Sequence, residues 1–388
     1  MTVKLYDEDS HLQKFTATIV SCEEISSNYV VVLDRTAFFP EAGGQSADTG
    51  FLNGVKVYDV QIDDEIIYHY TTSPLTKGET VTGVIDWERR FDFMQQHSAE
   101  HIVSGVAHKL YGCENVGFHL SDDIVTLDFD KVLSNEQLAK LEELSNKAVF
   151  DNKKFTTYYP DDDTLKNLSY RSKKQLDGAI RIVEIEDTDM CACCAPHVNF
   201  AGEIGIIKLL GTEKLRGGIR IEMRAGSRAL ADYNCKYKNV LKISNMLCVK
   251  QNEAADAVEK LIEQIADLKY KLNGFKKQAI DNKINNFKPL SDITACFEEE
   301  LEMKDIQMYA DTLFKKFGGI RAAFSKKEDN GFAFAICGEA DKLNVFFTEF
   351  KAKFTVKGGG RGTMVQGTVT ATENEIINFF NGKKRAWL

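Results

Sequence analysis

The chain has 388 residues, enough for two or three domains, and is 43% hydrophobic and 28% charged, as expected of a soluble globular protein. Its 49 Lys and Arg against 58 Asp and Glu give a net charge of -9, which argues against loose, non-specific nucleic-acid binding but leaves room for a local basic surface. The N-terminus, MTVKLYDEDSHLQKF, has no apolar signal-like core, and no run approaches the roughly 20 apolar residues of a membrane helix. Nine cysteines, clustered only at Cys191, Cys193 and Cys194, suit a reducing cytoplasm. There the cluster reads as metal-binding or as buried thiols rather than as a disulfide.

Residues 1–88 alternate like short strands separated by Gly, Asn and Asp turns (TATIVSCEE, YVVVLDR, VKVYDVQI, EIIYHYT, ETVTGVID), which predicts a small β-barrel. RRFDFMQQHSAEHIVSGVAHKLYG has helical spacing, with Gly112 as its stop. VGFHLS and IVTLDFD read as a hairpin, and SNEQLAKLEELSNKAVFDN as a helix with a capping box from Ser134 to Gln137. AIRIVEIE, EIGIIKLLG and GIRIEMRAG add strands, so residues 89–225 form an α+β core and the fold class is α+β. Residues 226–285 turn helical. There Ala254, Val258, Leu261, Ile265, Leu268, Leu272, Phe275 and Ala279 form a heptad seam. The seam fits a coiled-coil arm or homodimer contact, and equally a helical hairpin folded back on its own domain. Pro289 marks a boundary in a C-terminal α/β segment, 286–388. FAFAICG is its strand, DKLNVFFTEFKAKF its helix, and a Gly-rich loop, GGGRGTMVQG, precedes the last helix.

Chemistry concentrates in two places. His97 and His101 at i, i+4 put both imidazoles on one helix face, within reach of a single metal, whereas His108 on the same stripe reads as packing or surface. Cys193 and His197, also four apart, add a thiolate and an imidazole. Three nitrogens and one sulfur suit tetrahedral zinc better than magnesium or calcium. Buried thiols beside a core histidine would leave the same pattern. HSAEH also spells the inverted zincin motif of a metallopeptidase, with Glu100 as a general base, but that reading ignores the Cys193–His197 pair and needs a further ligand. Glu100 is expected instead to be solvated or to stand behind the ligands.

Taken in order, DRTAFFPEAGGQSADTG, HSAEH, and CCAPHV followed by GEIG resemble the editing module of alanyl-tRNA synthetases and their freestanding relatives over about residues 15–225. GGGRGTMVQG is similar to the Gly-rich loop of the synthetase C-terminal domain. The resemblance implies zinc at His97, His101, Cys193 and His197. It implies a substrate pocket from Thr36, from Gly43, Gly44 and Gln45 after Pro40 and Glu41, and from Gly117, Phe118 and His119. The implied activity is hydrolysis of mischarged tRNA(Ala) carrying serine or glycine. The implied tRNA grip is Lys357, Gly358, Gly359, Gly360 and Arg361. Around it, Lys351, Lys353, Lys357, Arg361, Lys383, Lys384 and Arg385 against Glu373 and Glu375 give a local +5.

The chain departs from the family pattern in places. The usual Cys-Gly-Gly-Thr-His is Cys193-Cys194-Ala195-Pro196-His197, which adds Cys191 and Cys194 as competing thiols. Glu100 replaces a common Thr, and Gly362 a Pro. The chain starts directly at the barrel, so it is expected to lack the adenylate-forming domain of a ligase. A non-catalytic tRNA-binding module is the alternative to a hydrolase.

Overall fold

The computed structural model describes residues 1–25, 28–122, 124–172, 179–289, 291–327 and 331–386, with the side chains of 384–386 outside the description. The fold is mixed α+β and divides into two compact units, Met1–Lys242 and Ile243–Leu388. Among the described residues no helix is long and apolar enough to cross a membrane.

In the first unit, six strands close on themselves in the order Lys14–Ile25, Asn28–Leu33, Ile66–Thr71, Val55–Asp63, Gly50–Leu52, Thr80–Ile85. Their inward residues, among them Phe15, Ile19, Val31, Leu33, Val60 and Val81, fill one core. Alternate positions face outward, which is why the period-2 pattern is legible in the sequence. Between Arg35 and Gly50 the chain leaves this ring and carries the Gly-Gly-Gln turn to a neighbouring core, where Gln45 bridges to Leu120.

That second core surrounds the helix Trp87–Tyr111, whose N-cap Asp86 accepts from the Arg89 amide and whose end is set by Gly112 at φ 58°. An antiparallel four-stranded sheet packs on it, in the order Ile207–Leu215, Gly218–Ala225, Val125–Phe129, Asn115–Leu120. A three-stranded sheet, Phe155–Tyr158, Ile182–Ile185, Asp189–Ala192, completes it. The helix Asn135–Phe150 starts with the expected capping box at Ser134 and Gln137. Gly105 lets the smaller sheet reach the central helix, since a Cβ there would lie 2.6 Å from Asp189 Cβ.

In the second unit, a five-stranded sheet runs Ile293–Glu298, Ile320–Lys326, Phe332–Cys337, Met364–Thr370, Thr355–Gly359, with its first pair parallel and the others antiparallel. Phe332, Phe334 and Ile336 pack on one face with Phe346, Phe350 and Phe380. Ala333, Ala335 and Cys337 admit Ile280, Ile284, Ile306 and Leu313 on the other. The sequence FAFAIC therefore alternates large and small rather than apolar and polar.

Two details differ from the sequence reading. GGGRGTMVQG is a β-hairpin rather than a loop: Lys357, Gly358 and Gly359 pair with Thr368, Gly367 and Gln366. Its glycines permit close strand approach, since a Cβ at Gly358 would lie 2.2 Å from the Gln366 carbonyl oxygen. Lys357, Gly360 and Arg361 are exposed, but Lys383 pairs with Glu349 at 2.5 Å, which offsets part of the local positive charge. The side chains of Lys384 and Arg385 lie outside the described residues. The seam helix, Ala254–Asn286, buries Ala254, Ile280 and Ile284 and exposes Val258, Leu261, Ile265, Leu268, Leu272 and Phe275.

Candidate metal centre

His97 and His101 sit mid-helix in Trp87–Tyr111, where every residue from Phe93 to Ala107 is buried. A helix buried on all sides must satisfy its polar groups internally. Gln96 does so on the Ala225 backbone, donating from Nε2 to the carbonyl and accepting at Oε1 from the amide, both at 2.8 Å. Gln95 Nε2 donates to the Glu203 carbonyl at 2.8 Å.

The loop after Asp189–Ala192 brings Cys193 and His197 to the same place. Arg181 shapes that loop: its Nη1 donates to the Cys193 and Ala195 carbonyls at 3.1 and 2.8 Å, and its carbonyl accepts from the Cys193 amide at 3.0 Å. Ser10 Oγ donates to the His197 carbonyl at 2.8 Å.

The result is a ring. One ligand atom each from His97, His101, Cys193 and His197 lies within 4.8 Å of the others. Cys193 Sγ is 3.6 Å from His97 Nε2 and 3.4 Å from His197 Nε2. The edge between nitrogen and sulfur of a zinc tetrahedron is about 3.6 Å from ordinary bond lengths, so these donors have the spacing that a zinc ion requires. His101 Nε2 is buried without a hydrogen-bond partner among the described residues, an orphan that a cation would satisfy. The three histidines are 1–2% exposed, while Cys193 is half-buried and forms the open edge.

Behind the ring, every imidazole meets a partner at Nδ1. His97 donates to Gln45 Oε1 at 2.9 Å, His101 faces Asp189 Oδ2 at 3.4 Å, and His197 lies 3.1 Å from Ser98 Oγ. Asp189 is gripped by Arg171, which donates from Nε and Nη2 at 2.7 and 2.6 Å. Burial opposes charge on Asp189, but the bonds from His101 and Arg171 outweigh it and hold its carboxyl low.

The electrostatics favour a thiolate. Burial alone would push the Cys193 thiol up; the neighbouring His97 imidazole and the hydrogen bond with His197 hold it well below the usual range. Burial keeps His197 neutral, with its pKa down at about 3. Burial also opposes charge on His101, but Glu100 and Asp189 outweigh it and pull that imidazole upward. A second group, His101, Asp189 and Cys191, also meets metal-holding distances, but Asp189 is already committed to Arg171.

Glu100 is not solvated. It is fully buried and accepts from Ser104 Oγ at 2.7 Å and Asn115 Nδ2 at 2.6 Å. Its Oε2 lies 3.9 Å from His101 Nε2, the ring-facing nitrogen, so it is a buried neighbour of the ligands, and a water-activating peptidase base would need solvent there. His108, exposed, pairs with Glu114 at 2.8 Å.

The expected pocket residues divide. Gly43 and Gly44, at φ 61° and 83°, turn the Pro40–Gln45 segment against the ring; a Cβ on Gly44 would lie 2.9 Å from the Phe118 carbonyl oxygen. Phe118 packs on His97 with ring centroids 4.7 Å apart. Glu41 donates its amide to the Val60 carbonyl, which fixes the start of the turn. Gly117 is half-buried beside Phe118, but the exposed His119 is the next residue on the strand and so faces the opposite side. Thr36 is buried in the first core, where its hydroxyl contacts His69 Nε2 at 2.9 Å and accepts from the Phe38 amide at 3.1 Å. Cys194 is exposed, and its Sγ would lie 3.6 Å from a Cβ on Gly43.

Sequence reasoning does not reach Asp189, Arg171, Arg181 or Ser98. An arginine inside the apolar run AIRIVEIE is the one local sign of Arg181; nothing in spacing links Arg171 to Asp189.

Comparisons with known proteins agree with this picture. The model of tRNA synthetases class II (A) matches residues 5–89, and that of the threonyl and alanyl tRNA synthetase second additional domain matches residues 180–222. The alanine–tRNA ligase of Ignicoccus hospitalis is 28% identical over 326 residues, covering 80% of this chain and 35% of the ligase. The chain thus spans about a third of that relative's length. The alanyl-tRNA editing protein AlaX-L of Pyrococcus horikoshii is 27% identical over 411 aligned positions that span both chains entirely. The alanyl-tRNA editing protein Aarsd1 of Rattus norvegicus is 33% identical over 276 residues, covering 66% of this chain and 67% of that protein. On these matches the chain belongs to the alanyl-tRNA editing protein family, which shares its domains with the alanyl-tRNA synthetases.

Proposed function

We propose that this chain is a zinc-dependent hydrolase that removes a wrongly attached amino acid, serine or glycine, from tRNA(Ala). The observation that carries the reading is the buried ring of His97, His101, Cys193 and His197 with the Gly-Gly-Gln turn against it. The relatives named as alanyl-tRNA editing proteins support the substrate class.

A bound zinc would supply Lewis acidity toward the ester carbonyl. The chain's own residues do the rest. Arg181 and Ser10 hold the Cys193–His197 loop, so that Cys193 and His197 keep their reach. Phe118 covers the flank of His97 and keeps water from that side. Gly43 and Gly44, where a Cβ would meet Cys194 Sγ and the Phe118 carbonyl, let the turn close against Phe118 beside the ring. Access runs over Cys193, the one ring residue that is not fully buried. Small side chains differ in binding by only about 1–3 kcal/mol per group, so a second hydrolytic selection is chemically useful.

In the second unit, Lys357 and Arg361 on the exposed hairpin are the proposed grip on the tRNA body. The exposed seam, Leu261 to Phe275, is the proposed homodimer contact, and the cytoplasm the proposed compartment. The test is deacylation of Ser-tRNA(Ala) and Gly-tRNA(Ala) against Ala-tRNA(Ala), with and without chelator. Faster loss of the first two, abolished by chelation and restored by zinc, is expected. Equal loss of all three, or activity indifferent to chelator, overturns the reading.

A further inference from the structure

The three imidazoles of the ring are oriented from behind by three different segments. Asp189 comes from a strand of the three-stranded sheet and Ser98 from the same helix as His97. Gln45 alone comes from the excursion out of the strand ring. It is 1% exposed. Its backbone is pinned on both sides: Gln45 and Ala42 exchange amide–carbonyl bonds at 3.0 and 3.2 Å, and the Gly44 carbonyl accepts from the Leu120 amide at 3.0 Å.

We propose that Gln45 is a positioning residue for the metal ring, fixing the tautomer and tilt of His97 rather than contacting the substrate alone. This rests on the reading that the ring holds a metal. An amide oxygen can only accept, so a bond between Gln45 Oε1 and His97 Nδ1 places the imidazole proton on Nδ1. Nε2 then keeps its lone pair, and it is Nε2 that faces Cys193 Sγ at 3.6 Å. With the amide reversed, its N–H would meet Nδ1 and the ring proton would move to Nε2, where it would exclude a cation. The Gln45 Nε2 has no partner among the described residues, so the one side-chain bond that holds the amide is the one to His97. Gln45 is also neutral. It orders His97 without adding a negative charge, whereas Asp189 brings a charge that Arg171 offsets. The Gly-Gly-Gln turn is in this way a brace between the strand ring and the metal helix.

The test uses the full chain with 15N-labelled histidine, metal-free and zinc-loaded, followed by NMR of the ring nitrogens and by zinc affinity in competition with a chelator. In the wild type, His97 carries its proton on Nδ1 in both states. Gln45→Met keeps the bulk and removes the acceptor; it is expected to weaken zinc binding by about 10–100-fold and to mix the His97 tautomers in the metal-free protein. Gln45→Glu keeps an acceptor and is expected to restore the Nδ1–H form. A purely structural role would lower the melting temperature of Gln45→Met and leave affinity and tautomer unchanged. The proposal is overturned by a wild-type His97 protonated on Nε2 before metal is added, or by wild-type zinc affinity in Gln45→Met. If Gln45→Met does not fold, the wild-type tautomer and Gln45→Glu decide. A wild type that takes up no zinc sinks the metal reading, while the tautomer still reports on Gln45.

Discussion

Two long helices of this chain invert the usual rule of burial. Trp87–Tyr111 buries Arg90, Gln95, Gln96, His97, Glu100 and His101; Ala254–Asn286 exposes Leu261, Ile265, Leu268, Leu272 and Phe275, the last at 66%. The first tolerates its polar residues because they meet specific partners from other segments. The second carries an apolar stripe that its own chain leaves exposed. The buried polar groups are met by partners from other segments, and the exposed apolar stripe is the surface that the proposed homodimer would cover.

The largest effect that tests this contrast is at Arg90. Its guanidinium is fully buried, bonded to Asp48 at 2.9 and 3.0 Å and to the Ala37 carbonyl at 2.6 Å. Arg90→Met strands the Asp48 carboxylate and should cost about 3–5 kcal/mol in chemical denaturation. A loss under about 1 kcal/mol, the range of an exposed pair, would mean that burial of the polar helix is not held by its partners.

Next comes His69, a buried polar group in the strand ring of the first unit. Burial holds its pKa at about 4. Between about 6.5 and 4 the unfolded chain binds a proton that the folded chain refuses, so stability falls as pH falls through that window. The contribution amounts to at most about 3 kcal/mol across it. His69→Gln should flatten the acid limb of a melting-temperature profile. An unchanged limb would show that burial does not keep the proton off His69.

The seam gives the third test. Leu261→Glu with Leu268→Glu should halve the mass seen by light scattering at micromolar concentration, since apolar contact would be replaced by repulsion. A wild type that is already monomeric leaves the stripe without a second copy as its cover. The smallest effect is at the hairpin. Lys357→Ala with Arg361→Ala should lower the magnitude of the log affinity versus log salt slope for tRNA by up to about 2, roughly one per contact. A superimposable salt titration removes the hairpin from the grip.

His97 and His101 are legible in the sequence because i, i+4 on a helix needs no tertiary information; Cys193 and His197 share the spacing but stand in a loop that Arg181 and Ser10 hold. The strands of the first core are legible for a similar reason, through alternation. What faces Nδ1 is not: Gln45 is 52 residues from His97 and Asp189 is 88 from His101, and only folding brings them together. The resemblance points to Gln45 as a pocket residue; its bond to His97 is a property of the fold. The GGGRG hairpin reads as a loop because glycine has no side chain to alternate, so the period-2 signal vanishes where the strands approach most closely. Glu100 reads as either solvated or supporting the ligands, because Ser104 and Asn115, the partners that keep it buried, carry no pattern of their own.

The central claim is that His97, His101, Cys193 and His197 form one zinc site. The most direct measurement is metal content of the purified chain by elemental analysis, wild type beside His97→Ala, Cys193→Ala, Cys191→Ala and Cys194→Ala. About one zinc per chain in the wild type, Cys191→Ala and Cys194→Ala, and near none in His97→Ala and Cys193→Ala, is the predicted result. Full zinc in both His97→Ala and Cys193→Ala would contradict it, and retention in Cys193→Ala with loss in Cys191→Ala would move the sulfur to the group of His101, Asp189 and Cys191.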